Sequence, residues 1–342
     1  MLVFREGAQE LDARAVHAAA PVADLHAHPS LNAFYLRRDL GRERKAPRRW
    51  NPLRQQLDLP RAVAGGLRVL TNCAYAPAVL PVGPFRAAVG AFDAIEAICA
   101  RNPLLARVAP RGEVASVLAA GKLAVIHAAE GGHHLERSLS KLEDLAARGL
   151  RYLTLTHFIH NGIAQPARLR GRPFFSVLRG KPGLTKLGAQ VVRRCEELSV
   201  LVDVTHCSDR SFADVVSLAS RPVLATHTGF RRFAAVERNL SDEQLRLVAG
   251  TGGMVGVITW RDLLGGPSIE AMLDSIVHGA LVAGAEHVGI GTDFDGWVYS
   301  AEGIREARDY PNITEGLVRR GFAAREIAGI LGGNYLRVLG ET

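Results

Sequence analysis

Short apolar runs alternate with longer segments of helical character along this chain. The runs are rich in Val, Leu, Ile and Thr, and eight of them lie at residues 21–28, 67–75, 123–130, 152–157, 201–206, 222–227, 253–259 and 287–293. The intervening segments predict crossover helices around 86–118, 138–148, 185–199, 209–219, 241–250 and 268–284. Alternating strands and helices are the sequence form of parallel β/α architecture. The pattern therefore predicts an α/β fold, a (β/α)8 TIM-type barrel.

The barrel pattern continues without a break that would divide the chain. No low-complexity linker, shift in composition or long internal repeat interrupts the 342 residues. We expect a single domain over 1–342, with the barrel core at about 21–300 and terminal helices at about 301–342 that close it. A chain of this length can bury a large core.

Composition and charge narrow the classes of partner. The formal net charge is +8, and the densest basic run lies at 37–49, without a neighbouring nucleic-acid-binding motif. We read this run as a solvated loop, or alternatively as an electropositive rim that attracts an anionic substrate. The first residues lack the apolar core of a secretory signal, and no apolar run is long enough for a membrane span. These features predict a cytoplasmic protein without nucleic-acid or membrane partners.

Ionisable residues stand at the ends of most of the predicted strands. In a TIM-type barrel the C-terminal ends of the strands form the face that carries the chemistry. Side chains two apart on a strand share a face, so His26 and His28 should project together. The residues at these strand ends are His26, His28, Glu130, His157, His206, His227 and Asp293.

This set of side chains favours a metal site. Imidazole and carboxylate ligands without thiolates suit Zn²⁺ or another divalent transition metal, and the number of candidates suggests two ions. Glu130 is the only glutamate at these strand ends and is the natural bridge between them. Two such ions would acidify a bridging water to hydroxide, a nucleophile for hydrolysis of an amide or ester.

Several other residues have simpler interpretations. His127 lies three positions before Glu130, so we expect it to face outward and pack against a helix. His133 and His134 are expected to be loop residues, and Asp295 a supporting carboxylate. The four cysteines form no metal or disulfide motif and are expected to be reduced.

The motifs that contain these residues resemble the renal (membrane) dipeptidase family, peptidase family M19 of the amidohydrolase superfamily. They occur in the family's order from about residue 21 to 338. The motifs are Asp24-Leu25-His26-Ala27-His28, Glu130-Gly131-Gly132-His133, Tyr152-Leu153-Thr154-Leu155-Thr156-His157, Asp203-Val204-Thr205-His206, Thr226-His227, Arg238-Asn239, Gly291-Thr292-Asp293-Phe294-Asp295-Gly296 and Gly333-Asn334.

The resemblance implies a set of metal ligands. His26 and His28 match the ligands of a first ion, Glu130 the bridge, and His206 with His227 the ligands of a second. The family typically has His-x-Asp in its first motif, whereas this chain has His28 at the aspartate position. An imidazole there makes the site one unit more positive and should make bound water more acidic.

The resemblance also implies a reaction. His157, Arg238 and Asp293 match the family's substrate-binding and acid/base positions, with His157 and Asp293 in the catalytic roles. The implied function is a binuclear metallohydrolase that cleaves dipeptides. Two alternatives stay open: the same site acting on an N-acyl amino acid, cyclic amide or lactone, and a non-catalytic binding module. The expected partner is a small molecule, and a homodimer is left open as an assembly.

Overall fold

Eight parallel strands stand side by side in chain order and curve into a nearly closed barrel. The computed structural model describes residues 11–44, 55–77, 83–108, 112–168 and 180–341. The barrel order is β1-β2-β4-β5-β6-β7-β8-β9, and β3 lies outside the barrel, paired with β4. The strands are β1 (Ala23–Ala27), β2 (Val69–Ala74), β3 (Leu105–Arg107), β4 (Leu123–Glu130), β5 (Leu150–Thr154), β6 (Leu201–Asp203), β7 (Val223–Thr228), β8 (Met254–Val257) and β9 (Val288–Ile290). The TIM-type barrel predicted from the sequence is confirmed.

The first and last strands meet just beyond their C-terminal ends. The Asp293 amide donates to the His26 carbonyl at 2.8 Å, and the His28 amide donates to the Phe294 carbonyl at 2.8 Å. An isolated parallel bridge between Ala27 and Phe294 belongs to the same junction. The barrel is therefore closed at the edge where the predicted site residues lie.

Helices cover the outside of the barrel. They are α1 (Ala13–Ala19), α2 (Leu59–Ala64), α3 (Pro84–Arg101), α4 (Val114–Ala119), α5 (Leu139–Ala147), α6 (Lys186–Glu197), α7 (Asp209–Leu218), α8 (Asp242–Gly250), α9 (Arg261–Leu264), α10 (Ile269–Ala283), α11 (Tyr310–Arg319), α12 (Ala324–Ala328) and α13 (Asn334–Leu339). Short 3₁₀ or π turns occupy Leu31–Tyr35, Gly132–Leu135, Ala285–His287, Ala307–Asp309 and Gly329–Gly333. Three of these helices, α11 to α13, follow the last strand.

Local sequence explains where the helices begin. The Thr185 hydroxyl accepts from the Gly188 amide at 3.0 Å, so Thr185 is the N-cap of α6. Ser241 and Gln244 form a capping box that begins α8. These caps satisfy backbone N–H groups that the first turn of a helix leaves without partners.

Two apolar layers hold the barrel together. Alternate strand residues fill the interior, among them Leu25, Tyr152 and Met254, each fully buried. The other strand face packs against the helices, for instance against Ile276 of α10. Each barrel strand is buried on both faces, which explains why its body reads as a nearly continuous apolar run.

The predicted helix over 86–118 is wrong as a continuous element. The helix α3 ends at Arg101, and Asn102 takes an extended conformation before Pro103. Proline disfavours the helical conformation of the residue before it, so the chain turns there into β3 and then α4. The other crossover helices predicted from the periodicity are present between the barrel strands.

Three smaller expectations can be compared with the structure. None of the described helices is long and apolar enough to cross a bilayer. All four cysteines are free; Cys73, Cys195 and Cys207 are buried, and Cys99 is partly buried. Of the basic run at 37–49, the part from residue 45 onward lies outside the described residues.

Candidate metal centre

The side chains predicted from the strand ends converge at the C-terminal mouth of the barrel. His26, Glu130 and His227 belong to β1, β4 and β7, and the others lie within three residues after the ends of β1, β5, β6 and β9. All are buried except His157, whose side chain is 17% exposed. They are His26, His28, Glu130, His157, His206, His227 and Asp293.

Glu130 stands at the centre of this cluster. Its Oε1 lies 3.1 Å from His206 Nε2, 3.2 Å from His227 Nε2 and 3.6 Å from His26 Nε2. Its Oε2 lies 3.6 Å from His28 Nε2. The two carboxylate oxygens therefore face different imidazoles, with three rings near Oε1 and His28 near Oε2.

The spacing of these atoms fits divalent metal ligands. Two ligand atoms bound to one tetrahedral ion at roughly 2.0–2.1 Å lie about 3.3 Å from each other. Besides the contacts to Glu130, the Nε2 atoms of His26 and His28 are 3.1 Å apart, as are those of His206 and His227. Three groups in the cluster have ligand atoms within 4.8 Å of one another: His26, Glu130 and His227; His26, His28 and Asp293; and Glu130, His157 and His206. The residues present can hold metal.

Hydrogen bonds on the far side of two rings leave their Nε2 atoms free for a ligand. His28 Nδ1 lies 2.9 Å from the Cys73 carbonyl, to which it can only donate. His26 Nδ1 lies 2.9 Å from the Tyr152 hydroxyl, which itself donates to the Leu25 carbonyl at 2.8 Å. Both rings therefore carry their proton on Nδ1, which is how outer partners orient metal-binding histidines.

His206 is oriented differently because it contacts Arg238. The Arg238 Nε group donates to His206 Nδ1 at 3.2 Å, and Nη2 donates to the His227 carbonyl at 2.8 Å. A guanidinium has no acceptor, so Nδ1 of His206 must be unprotonated while this contact holds. Ligation through His206 Nε2 requires a proton on Nδ1, and hence requires Arg238 Nε to find another acceptor.

Arg238 is also placed to receive an anion. Its side chain is buried, and Nη1 has no hydrogen-bond partner among the described residues. Burial lowers the pKa of the guanidinium to about 10, so it stays charged at neutral pH. A buried cation with an unused donor favours binding of a carboxylate.

The protonation of the cluster follows from burial and from its two acids. Burial lowers the pKa of His26, His206 and His227 well below the usual value, so these rings are neutral. For His28, burial is outweighed by the Asp293 hydrogen bond and the Glu130 charge, which raise its pKa to about 9. Burial raises the pKa of Glu130 and of Asp293. Protonated His28 therefore neutralises part of the acidic charge in the absence of metal.

Backbone conformation at two of these positions is unusual. His206 and Asp293 have φ angles of 67° and 60°, in the left-handed region. Non-glycine residues rarely adopt it, and where they do the surrounding structure must hold them there. At Asp293 the backbone bond to His26 does this, and it aims Oδ1 to within 3.2 Å of His28 Nε2.

Comparison with known proteins identifies the family. The membrane dipeptidase family (peptidase family M19) matches residues 10–342. The chain belongs to this family. An uncharacterized dipeptidase of Schizosaccharomyces pombe (strain 972) is 33% identical over 230 residues, which cover 65% of this chain and 54% of that protein. The chain spans about half the length of the curated relatives it matches.

Solved structures share the fold of this M19 family member. The probable dipeptidase PvdM from Pseudomonas aeruginosa superposes with a TM-score of 0.83 at 22% identity, covering 96% of this chain and 97% of that one. A metallo peptidase from Rhodobacter sphaeroides, liganded with a phosphinate mimic of the dipeptide L-Ala-D-Ala, superposes with a TM-score of 0.80 at 24% identity, covering 94% and 99%.

Sequence reasoning missed one residue of the opening. Tyr75, just after β2, packs its ring against His157 with centroids 4.6 Å apart, and its ring centroid is 6.3 Å from that of His28. Its strand-end position was the available signal, but no ionisable group drew attention to it. Tyr75 therefore packs on His157, whose Nε2 lies 3.8 Å from Glu130 Oε2.

The residues with simpler interpretations behave largely as expected. His127 stacks on Phe92 of α3, with centroids 4.2 Å apart and planes 5° from parallel. His134 contacts the Pro84 and Ala74 carbonyls, so it ties the loop after β4 to its neighbours. Asp295 accepts from the Gln56 amide at 2.6 Å, as a supporting carboxylate would.

Proposed function

We propose that this chain is a metal-dependent dipeptidase with two divalent ions, Zn²⁺ being the first candidate. The observation that carries the proposal is the position of Glu130, whose Oε1 faces His206, His227 and His26 and whose Oε2 faces His28. His26 completes the first ligand pair with His28. Bound divalent ions would supply Lewis acidity towards a carbonyl group and lower the pKa of water.

Arg238 supports a substrate that carries a free carboxylate. Its unused Nη1 donor and its Nη2 group, now on the His227 carbonyl, lie side by side at the end of the guanidinium and can form two parallel hydrogen bonds to one carboxylate. The C-terminus of a dipeptide is such a group. The Rhodobacter sphaeroides relative was solved with a dipeptide mimic, which agrees with this substrate class.

Asp293 and His157 are assigned the proton-handling and orienting roles. Burial raises the pKa of Asp293, so Oδ1 can take up a proton and later deliver it to the leaving amine. Burial keeps His157 neutral by lowering its pKa well below the usual value. A neutral ring with its Nε2 3.8 Å from Glu130 Oε2 lies close enough to donate to the carbonyl oxygen of a bound amide.

A substrate panel tests this function. Metal-loaded enzyme would be assayed with L-L and L-D dipeptides, their C-terminal amides, N-acyl amino acids, cyclic amides and lactones. We expect cleavage of free dipeptides and poor cleavage of the amides. Faster turnover of lactones, cyclic amides or N-acyl amino acids than of any dipeptide would replace the dipeptidase assignment with that alternative.

Metal analysis tests the non-catalytic alternative. We expect close to two equivalents of divalent metal after metal-supplemented expression. Negligible Zn, Mn, Fe and Co in such a preparation, with no activity on the panel, would favour a binding module. The cytoplasmic location and a homodimer stay predictions.

A further inference from the structure

We propose that the hydroxyl of Thr226 fixes the tautomer of two metal-binding histidines at once, His26 and His227. Thr226 Oγ1 lies 3.2 Å from His26 Nδ1 and 3.0 Å from His227 Nδ1. The inference rests on the proposed metal site, because it concerns the nitrogen that each ring offers to an ion. It makes Thr226 a positioning residue rather than a ligand.

Asp203 determines the direction of these hydrogen bonds. Thr226 Oγ1 lies 2.7 Å from Asp203 Oδ2, which also accepts from Thr154 Oγ1 at 2.6 Å. Asp203 Oδ1 accepts from the amides of Thr205 and Thr226 and from the Thr205 hydroxyl. Five donors converge on the two oxygens, which leaves no space for a proton on Asp203 itself. The carboxylate can only accept, so Thr226 donates its single proton to it.

A hydroxyl that has donated its proton can only accept from both imidazoles. His26 and His227 must then carry their protons on Nδ1, and their Nε2 lone pairs point towards Glu130. His26 has a second acceptor in the Tyr152 hydroxyl. Within the described part of the chain, the hydrogen-bond partner of His227 Nδ1 is Thr226 Oγ1. His227 should therefore depend on Thr226 more strongly than His26 does.

The backbone at Thr226 is held from both sides. A Cβ atom placed on Gly256 would lie 1.9 Å from the Thr226 carbonyl oxygen, and one on Gly291 would lie 1.8 Å from it. Gly256 in β8 and Gly291 just after β9 can approach the Thr226 carbonyl this closely only because they carry no side chain. The amide of Thr226 is bound to Asp203 at 3.0 Å. The hydroxyl thus projects from a rigid point in β7.

The first test compares matched hydroxyl deletions. Thr226→Val keeps the side-chain shape but removes the hydroxyl, and Thr226→Ser restores it. Thr154→Val is the control, because it removes an equivalent donor to Asp203 that contacts neither histidine. Zn²⁺ affinity would be measured by competition with chelators. Loss of an outer partner of a metal-binding histidine typically weakens binding about 10- to 100-fold. We expect that loss for Thr226→Val alone, with affinity recovered in Thr226→Ser.

The second test reverses the hydrogen bond between Thr226 and residue 203. In Asp203→Asn the amide oxygen must face the Thr205 and Thr226 N–H groups, so the amide nitrogen takes the Oδ2 position and donates to the Thr226 hydroxyl. Thr226 must then donate its own proton to a histidine Nδ1, which forces that ring to carry its proton on Nε2. The ¹⁵N chemical shifts of labelled histidines in metal-free protein report this change directly.

The outcomes separate this inference from the proposed function. Parent protein that binds no metal defeats the proposed function itself. Parent protein that binds metal, with Thr226→Val binding equally well or Thr154→Val losing as much, overturns the role of Thr226 alone. Metal-free parent with the His227 proton on Nε2 also overturns it. If a variant unfolds, the histidine ¹⁵N chemical shifts of the metal-free parent protein decide whether His227 carries its proton on Nδ1.

Discussion

His28 Nε2 lies 3.2 Å from Asp293 Oδ1, and this contact joins the end of the first barrel strand to the end of the last. Both residues are buried beside the Glu130 carboxylate. The imidazole at position 28 therefore sits among acids, and without metal it carries a proton that offsets their charge.

Metal binding should release that proton. The pKa of His28 is raised to about 9, whereas a metal-bound nitrogen must be unprotonated. Metal affinity should therefore rise with pH between 6 and 9, by up to about tenfold per pH unit for each proton released. Calorimetry at pH 7 in buffers of different ionisation enthalpy measures the protons. His28→Asp removes the imidazole and should release about one proton fewer. A binding enthalpy independent of buffer would contradict the protonated state.

Glu130→Gln should abolish binding at both ion sites rather than at one. The substitution keeps the shape of the side chain and removes the charge that two cations would share. Burial raises the pKa of Glu130 from 4.5 to about 8 in the fold, so the metal-free parent loses stability as the pH rises through that range. The neutral amide avoids this loss, so the metal-free variant should become the more stable protein within the same range and stay so above pH 8. Elemental analysis measures the bound metal, and melting curves with and without Zn²⁺ measure the stability of the fold. Activity should fall by at least about 100-fold, and an active variant with two bound ions would refute the bridge.

Arg238→Lys should reduce kcat/KM for free dipeptides by about tenfold or more. Lysine keeps the charge but cannot form two parallel hydrogen bonds to one carboxylate. Dipeptide amides should be poor substrates for the parent and respond little to the change. Arg231→Lys is a matched control on the same loop, because Arg231 pairs with Asp209 and the Asn239 carbonyl. Equal cleavage of free and amidated dipeptides by the parent would defeat the carboxylate role.

His127 should make the fold sensitive to acid independently of the metal centre. Burial lowers its pKa, although Glu96 lies 3.5 Å from Nε2 and opposes the shift. In the unfolded chain the His127 ring takes up a proton near pH 6.5, whereas in the folded chain it does so only at lower pH. The free energy of unfolding therefore has its full value above pH 6.5 and falls below it. His127→Phe keeps the stacking on Phe92. It should reduce the decline in the free energy of unfolding by up to about 1.4 kcal/mol per pH unit. Denaturant melts of metal-free protein at pH 7.5 and 5.5 measure it, and parallel declines in both proteins would refute it.

The sequence was most informative where function and strand periodicity coincide. Each predicted ligand stands at the end of an apolar run, and the C-terminal ends of parallel strands in one barrel must meet. That rule alone brings His26, Glu130 and His227 together, as the structure does.

The features that sequence reasoning missed depend on contacts between distant segments. No local pattern distinguishes Thr226, which donates to Asp203, from Thr154, which does the same without touching a histidine. The contact of Arg238 with His206 depends on how the loop after β7 folds back. The strand β3 has three residues and, among the described residues, pairs with β4 alone, so it carries too little apolar periodicity to be recognised.

The junction of the first and last strands has a consequence for biogenesis. His26 and His28 are synthesised more than 260 residues before Asp293 and Phe294, whose backbones pair with them. Until then the nascent chain holds an incomplete set of ligands on an open sheet. An ion that binds the full set stabilises only the closed barrel. Metal supply during growth should therefore determine how much of this protein escapes proteolysis, as well as how active the surviving molecules are.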